Sequence, residues 1–317
     1  MRRASLVMLF LLMTARPLAA QGDADRVERR GAEPPIVGRI IVIDDAGVRI
    51  RTVQGADRRV PWDRVRSIDT DRIEADLEER LEMAETLWRA RSRIERRDTT
   101  LAEPLLERLF ERSRGQTHET ALVVAEGLLR CRLARGANAA AVIPALEVGR
   151  LRRAGIETAS YTMLPPVIDE EMALCPQVAP AWIHSRALER LIRELATYDA
   201  RDDPVMGALA RLYLQAARRQ LGGEAADETA EFDDPLPAYP GVQLLRSCVA
   251  CGAADAERRR AARARLRADL PNLPAWAEGW ARFALGTSLL RESGIGPRQR
   301  GLLDLVHLPA RFDRSQP

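Results

Sequence analysis

The chain has 317 residues, 46% of them hydrophobic and 30% charged, which is enough to bury a large core and too apolar for a disordered segment. Aromatic residues make up 4%, and all 49 basic residues are arginine. The absence of lysine excludes a phosphate-loop lysine and Schiff-base chemistry, and arginine without lysine reads most simply as the mark of a GC-rich genome.

The first twenty residues fall into three zones. Met1-Arg2-Arg3 is positive, Leu6 to Met13 is an apolar run, and Pro17-Leu18-Ala19-Ala20 ends in small residues. This is the pattern of a secretory signal peptide, with cleavage expected after Ala20 and a secreted or periplasmic destination. Eight apolar residues cover ~12 Å, well short of the ~30 Å hydrocarbon core, so no membrane span is expected once the leader is removed. The leader carries Arg2, Arg3 and Arg16 and no acid, leaving 46 arginines against 46 Asp plus Glu. A neutral mature chain lacks the basic footprint of a nucleic-acid binder.

Residues 21–35 are polar, end in Pro34-Pro35, and read as a flexible leader. Residues 36–70 then carry a period of two and predict a small β subdomain. Ile36 to Ile43 is β-branched and ends at Asp44-Asp45-Ala46-Gly47. Val48 to Val53 alternates and ends at Gln54-Gly55, and a third strand starts at Arg59-Val60 and is limited by Pro61. Three strands need something to cover their apolar face, and the first helix is the nearest candidate.

From Ile73 the period becomes 3.6, and residues 73–309 predict helix after helix. The first carries Leu77, Leu81, Ala84, Leu87, Trp88 and Ile94, and stops at Asp98-Thr99-Thr100, with Thr100 and Glu103 expected to cap the second. The second ends at Gly115, the third runs from Thr117 to Gly136, and the fourth ends at Gly155. After an apolar loop with Pro165-Pro166 comes a helix marked by Leu188, Leu191 and Leu195. Asp203-Pro204 then supplies both N-cap and N1 proline to another. Residues 222–239 form an acidic insert, helices follow near 241–251, 255–269, 275–292 and 298–307, and residues 310–317 form a tail.

Helix pairs of ~35 residues repeated in this way predict a mainly α architecture, an α-solenoid of helical hairpins preceded by a small antiparallel β unit. Ala90 and Ala102 stand twelve apart across the Asp98 turn, as the small helix-packing positions of tetratricopeptide repeats do, and residues 75–309 resemble a degenerate member of that family. The repeat's Trp, Gly and Tyr positions fall on Thr86, Ala90 and Arg93. Through Val37-Gly38-Arg39-Ile40, Gly47-Val48-Arg49-Ile50 and Val60-Pro61-Trp62-Asp63-Arg64-Val65 the β unit resembles the Sm-like or SH3-like barrels of exported bacterial proteins.

Cys248-Val249-Ala250-Cys251 is the sharpest local pattern. Two thiols at this spacing pack, form a short disulfide, act as a redox pair or supply half a metal site. Gly252 stands where haem attachment needs histidine. Cys131 and Cys175 are single, able to cross-link two hairpins, and His118, His184 and His307 are scattered, so neither a metal nor another cofactor is indicated. Arg258, Arg259, Arg260, Arg263, Arg265 and Arg267 crowd one helix and need counter-charge. The insert from Glu224 to Asp234 offers it; the alternative is contact by Arg258, Arg259 and Arg263 with an acidic partner. Trp62, Trp88, Trp276 and Trp280 are expected as core anchors. Leu302, Leu303, Leu305, Val306 and Leu308 give the last helix an apolar face on which a homo-oligomer could form. The expected role is non-enzymatic binding of a protein or peptide in the cell envelope; the alternative is a periplasmic thiol-disulfide oxidoreductase using Cys248 and Cys251.

Overall fold

The computed structural model describes residues 24–71, 76–182, 186–222 and 236–311, with side chains as far as Leu308. The Ala20 cleavage site and nearly all of the acidic insert lie outside the described residues.

The β unit has five antiparallel strands, β1 Asp25–Arg29, β2 Ile36–Asp44, β3 Gly47–Thr52, β4 Asp57–Val60 and β5 Val65–Asp69, in the order β4-β3-β2-β1-β5. Two of these correct the expectation of three strands behind a flexible leader. β1 lies inside residues 21–35 and pairs with both β2 and β5, burying Val27 completely. One apolar residue in Asp-Arg-Val-Glu-Arg carries no period, and the partners on either side decide its conformation. A register shift between Ile40 and Val42 bends β2 and changes the phase of burial from Ile36 and Ile40 to Ile43.

Trp62 sits in a 3-10 turn, Trp62–Arg64, between β4 and β5 and is fully buried. Its indole N–H donates to the Asp44 carbonyl at 2.8 Å and its backbone N–H to Thr120 Oγ1 at 3.2 Å, while Thr120 donates to the Ala46 carbonyl at 3.0 Å. Beside it Asp63 faces Arg91 at 2.6 Å and accepts from Ser160 at 2.7 Å. The sheet is thereby tied to the helices by a buried tryptophan and a buried ion pair.

Ten helices follow among the described residues: α1 Leu77–Glu95, α2 Thr99–Ser113, α3 Glu119–Ala134, α4 Asn138–Arg153, α5 Arg186–Ala196, α6 Pro204–Gln220, α7 Pro240–Ala250, α8 Ala256–Asp269, α9 Ala275–Leu290 and α10 Ile295–Arg311. Each packs on the helix before it and the helix after it, with second-neighbour contacts at α1–α3, α4–α6 and α7–α9. Gly115, Gly136 and Gly155, which end α2, α3 and α4, all have positive φ. The cap of α2 is Asp98, whose carboxylate accepts from the Leu101 N–H, whereas Glu103 turns to Arg135. α3 starts two residues later than Thr117, with His118 Nδ1 accepting from the Ala121 N–H at 3.1 Å. α9 and α10 approach closely because Gly286 and Gly301 face each other: a Cβ on either would stand under 3 Å from the other's carbonyl oxygen.

The segment 156–182 is more than a loop. Tyr161 donates to the Val123 carbonyl on α3, the Val178 carbonyl accepts from Tyr213 on α6, and Asp169 and the Pro176 carbonyl accept from Trp276 and Trp280 on α9. The segment thus straps α3, α6 and α9 together across the row. Trp62 and Trp280 are buried as expected, while Trp88 and Trp276 are half-buried, Trp88 beneath the Arg30 guanidinium. Leu302, Leu303 and Val306 are exposed, and Leu305 lies against Gly286. No described helix is long and apolar enough to cross a membrane.

Candidate functional site

Two clefts open along the helical row. The first, of about 560 Å³, lies between Glu107 on α2, the α3–α4 turn, Trp182 and α5. Arg132 enters it for a backbone reason. Pro144 within α4 has no N–H, so the Ala140 carbonyl loses its helical donor, and the Arg132 guanidinium supplies one at 2.6 Å. Another nitrogen of Arg132 reaches Glu107 at 3.2 Å, and Arg190 pairs with Glu194 at 2.6 Å. Signs of charge therefore alternate along the walls. α4 begins at Ala137 without a capping side chain, and the buried indole N–H of Trp182 has no hydrogen-bond partner among the described residues. The uncapped backbone donors of α4 beside charges of both signs suit an extended chain bearing carbonyls.

The second cleft, of about 700 Å³, lies among α6, α7, α8 and α9, with Ala179 and Pro180 of the strap at its edge. Its walls are Cys248, Cys251, Val249, Trp280, Phe283 and Ala284, and among the described residues its charged lining groups are Arg219, Arg259 and Arg291. The three cations gather because α7 ends here. Arg219 donates to the Val249 carbonyl at 2.5 Å, Arg291 to that of Gly252 at 3.2 Å, and Arg259 to those of Ala253 and Ala254. These are the oxygens at and just beyond the end of α7, where the helix dipole is negative.

Of the residues singled out from the sequence, the structure brings Cys248, Cys251 and Arg259 together in this cleft. Arg263 lies behind it, buried, donating to Ser288 at 3.0 Å and to Glu292 at 2.9 Å. The Arg258 backbone N–H donates to the Asp255 cap at 2.7 Å. The counter-charge found for Arg263 is Glu292, 29 residues along the chain, while the acids proposed from the insert lie outside the described residues. Arg219 and Arg291 were not singled out, because nothing in a local pattern links three arginines from separate elements.

The four cysteines are free thiols, all buried, with neither a short disulfide at Cys248 and Cys251 nor a cross-link between Cys131 and Cys175. Burial pushes Cys251 up to about 12 and raises Cys248 too, aided there by the neighbouring Cys251. The same cause lifts Cys131 and Cys175 to about 12. Thiols so held are protonated at neutral pH and are poor nucleophiles and poor metal ligands. Among the described residues no three His, Cys, Asp or Glu side chains gather as a metal site. Comparison with protein-family models, curated proteins and solved structures gives no match.

Proposed function

We propose that the chain is a non-enzymatic binding scaffold of the bacterial cell envelope, exported by its N-terminal leader, that takes a protein or peptide segment in the cleft between α2, the α3–α4 turn and α5. The observation that carries this reading is the set of backbone N–H groups at the uncapped start of α4, in a cleft walled by Glu107, Arg132, Arg190 and Glu194. An extended peptide offers the carbonyl acceptors those donors lack. The family resemblances fit the same role. Ala90 and Ala102 are both fully buried where α1 meets α2, and the order β4-β3-β2-β1-β5 with a 3-10 turn before β5 supports an SH3-like β unit. Architecture alone does not fix a role.

The test uses residues 21–317 on an array of extended peptides. Binding is expected, and charge reversal at Arg186 and Arg190, both exposed on the cleft wall, should weaken it at least tenfold. No binding, or binding indifferent to the reversal, overturns the reading.

A further inference from the structure

The second cleft differs from the first in chemistry. Among the described residues its charged lining groups are all cationic, whereas the first mixes both signs. Glu292, which does not line the cleft, is engaged by Arg263 at 2.9 Å and stands 3.9 Å from Arg259 Nε. That Nε is buried without a hydrogen-bond partner. Carbonyl oxygens accept from Nη1 of Arg259 and Nη1 of Arg291 but bring only a fraction of a charge, so positive charge remains on both guanidinium groups. Much of the remaining lining is apolar: Trp280 is buried, Phe283 is 40% exposed, and Ala216, Val249 and Ala284 join them. Thr287 and Ser288 add hydroxyls to the lining, one turn of helix before Arg291. The volume of about 700 Å³ is within the range of small-molecule sites.

We propose that this cleft binds a small amphipathic anion, with a carboxylate or phosphate head on Arg259 and Arg291 and an apolar body against Trp280 and Phe283. The site is separate from the peptide cleft and does not depend on it. The neutral thiols of Cys248 and Cys251 serve as polarizable apolar floor.

Two fluorescent probes test it: anilinonaphthalene sulfonate, which carries an anion on an apolar body, and phenylnaphthylamine, which has the same rings without the charge. The sulfonate should bind saturably at one site, at least tenfold more tightly than the neutral amine, and be displaced by octanoate or octyl phosphate but not by octanol. Displacement by octanoate alone or by octyl phosphate alone identifies the head group. Arg259→Gln and Arg291→Gln should each weaken the sulfonate about tenfold, the loss of one charge-assisted contact. Because these arginines also hold the end of α7, Thr287→Glu provides a second variant that adds a repelling charge and leaves them in place; it too should abolish binding. Leu303→Glu, on the exposed face of α10, should leave binding unchanged. Equal affinity for the two probes, indifference to Thr287→Glu, or loss of the sulfonate in Leu303→Glu would overturn the proposal.

Discussion

The N-terminal and C-terminal halves of the helical row bury charge in different ways. From the sheet to α4, buried carboxylates meet arginines directly: Asp63 with Arg91 at 2.6 Å, Glu126 with Arg130 at 2.7 Å and Arg152 at 3.2 Å, Glu147 with Arg150 at 2.9 Å. From α6 to α9, three arginines instead donate to backbone carbonyls around the end of α7, and one buried arginine reaches a carboxylate. Side-chain pairs cancel charge and lock neighbours together, whereas the carbonyl contacts of Arg259 and Arg291 satisfy geometry and leave charge over. The first arrangement makes a rigid junction; the second leaves a cleft able to attract an anion.

The sharpest way to break that comparison is at Asp63, whose side chain is fully buried. Asp63→Ala should cost about 3 kcal/mol, because the largely buried Arg91 guanidinium would keep only the exposed Glu95, 3.4 Å away, as a partner. Adding Arg91→Met should recover part of the loss, since removing both charges avoids the penalty of stranding one. Urea unfolding of the single and double variants measures both. If the double variant is no more stable than the single, the pair is not the tie between sheet and helices.

Alkali should act on the other half. Three of the four buried thiols, Cys175, Cys248 and Cys251, lie beyond α4, and burial raises each above its ordinary value of 9.0. A raised thiol contributes stability that is complete below the unfolded value and is lost as pH climbs from there toward the folded one. At pH 10.5 the loss is about 2 kcal/mol for each thiol. Hydrogen exchange between pH 7.5 and 10.5 should therefore show protection falling first in α6–α8, with α3 and α4 following. Uniform loss along the row would remove this distinction.

A smaller effect is expected at Arg263. Arg263→Ala removes the donor to Ser288 and to Glu292, whose side chain is 28% exposed and can be hydrated in its absence. About 1–2 kcal/mol should be lost, and added salt should recover little of it because the contact is sheltered. A loss as large as that at Asp63→Ala would mean that the two halves do not differ in kind.

Much of the helical part was legible in the sequence because its signals are local. Gly115, Gly136 and Gly155 mark stops that need positive φ, and Asp203-Pro204 caps α6 through the Val205 and Met206 N–H groups. β1 and β5 were not legible, since Asp-Arg-Val-Glu-Arg and Val-Arg-Ser-Ile-Asp hold too few apolar residues to alternate, and their pairing comes from strands far along the chain. The anion cleft was half legible. Cys248, Cys251 and Arg259 are neighbours in sequence, but Arg219 and Arg291 reach the same α7 end from helices dozens of residues away. No periodicity encodes such convergence. The strap over residues 156–182 escaped for the same reason, its hydrogen bonds spanning α3 to α9.

The least effect, and the mirror of the alkaline one, belongs to His118. At the head of α3 its Nδ1 accepts from the Ala121 N–H at 3.1 Å while Nε2 donates to Gln116 Oε1 at 2.6 Å, an arrangement open only to the neutral ring. Burial lowers its pKa below 6.5, with Arg59 acting in the same direction and Asp44 and Asp45 opposing. A histidine depressed in the folded chain contributes stability that is complete above the unfolded value and is lost as pH falls through it toward the folded one. Protonation adds a hydrogen to Nδ1 and ends the cap, a loss of about 1 kcal/mol. Between pH 7 and 5 exchange should therefore quicken at the start of α3, beside Thr120 and the Trp62 anchor, while α6–α8 stay protected. His118→Asn, which caps without titrating, should flatten that response; a variant that keeps the full acid sensitivity would place its origin in another group of the junction.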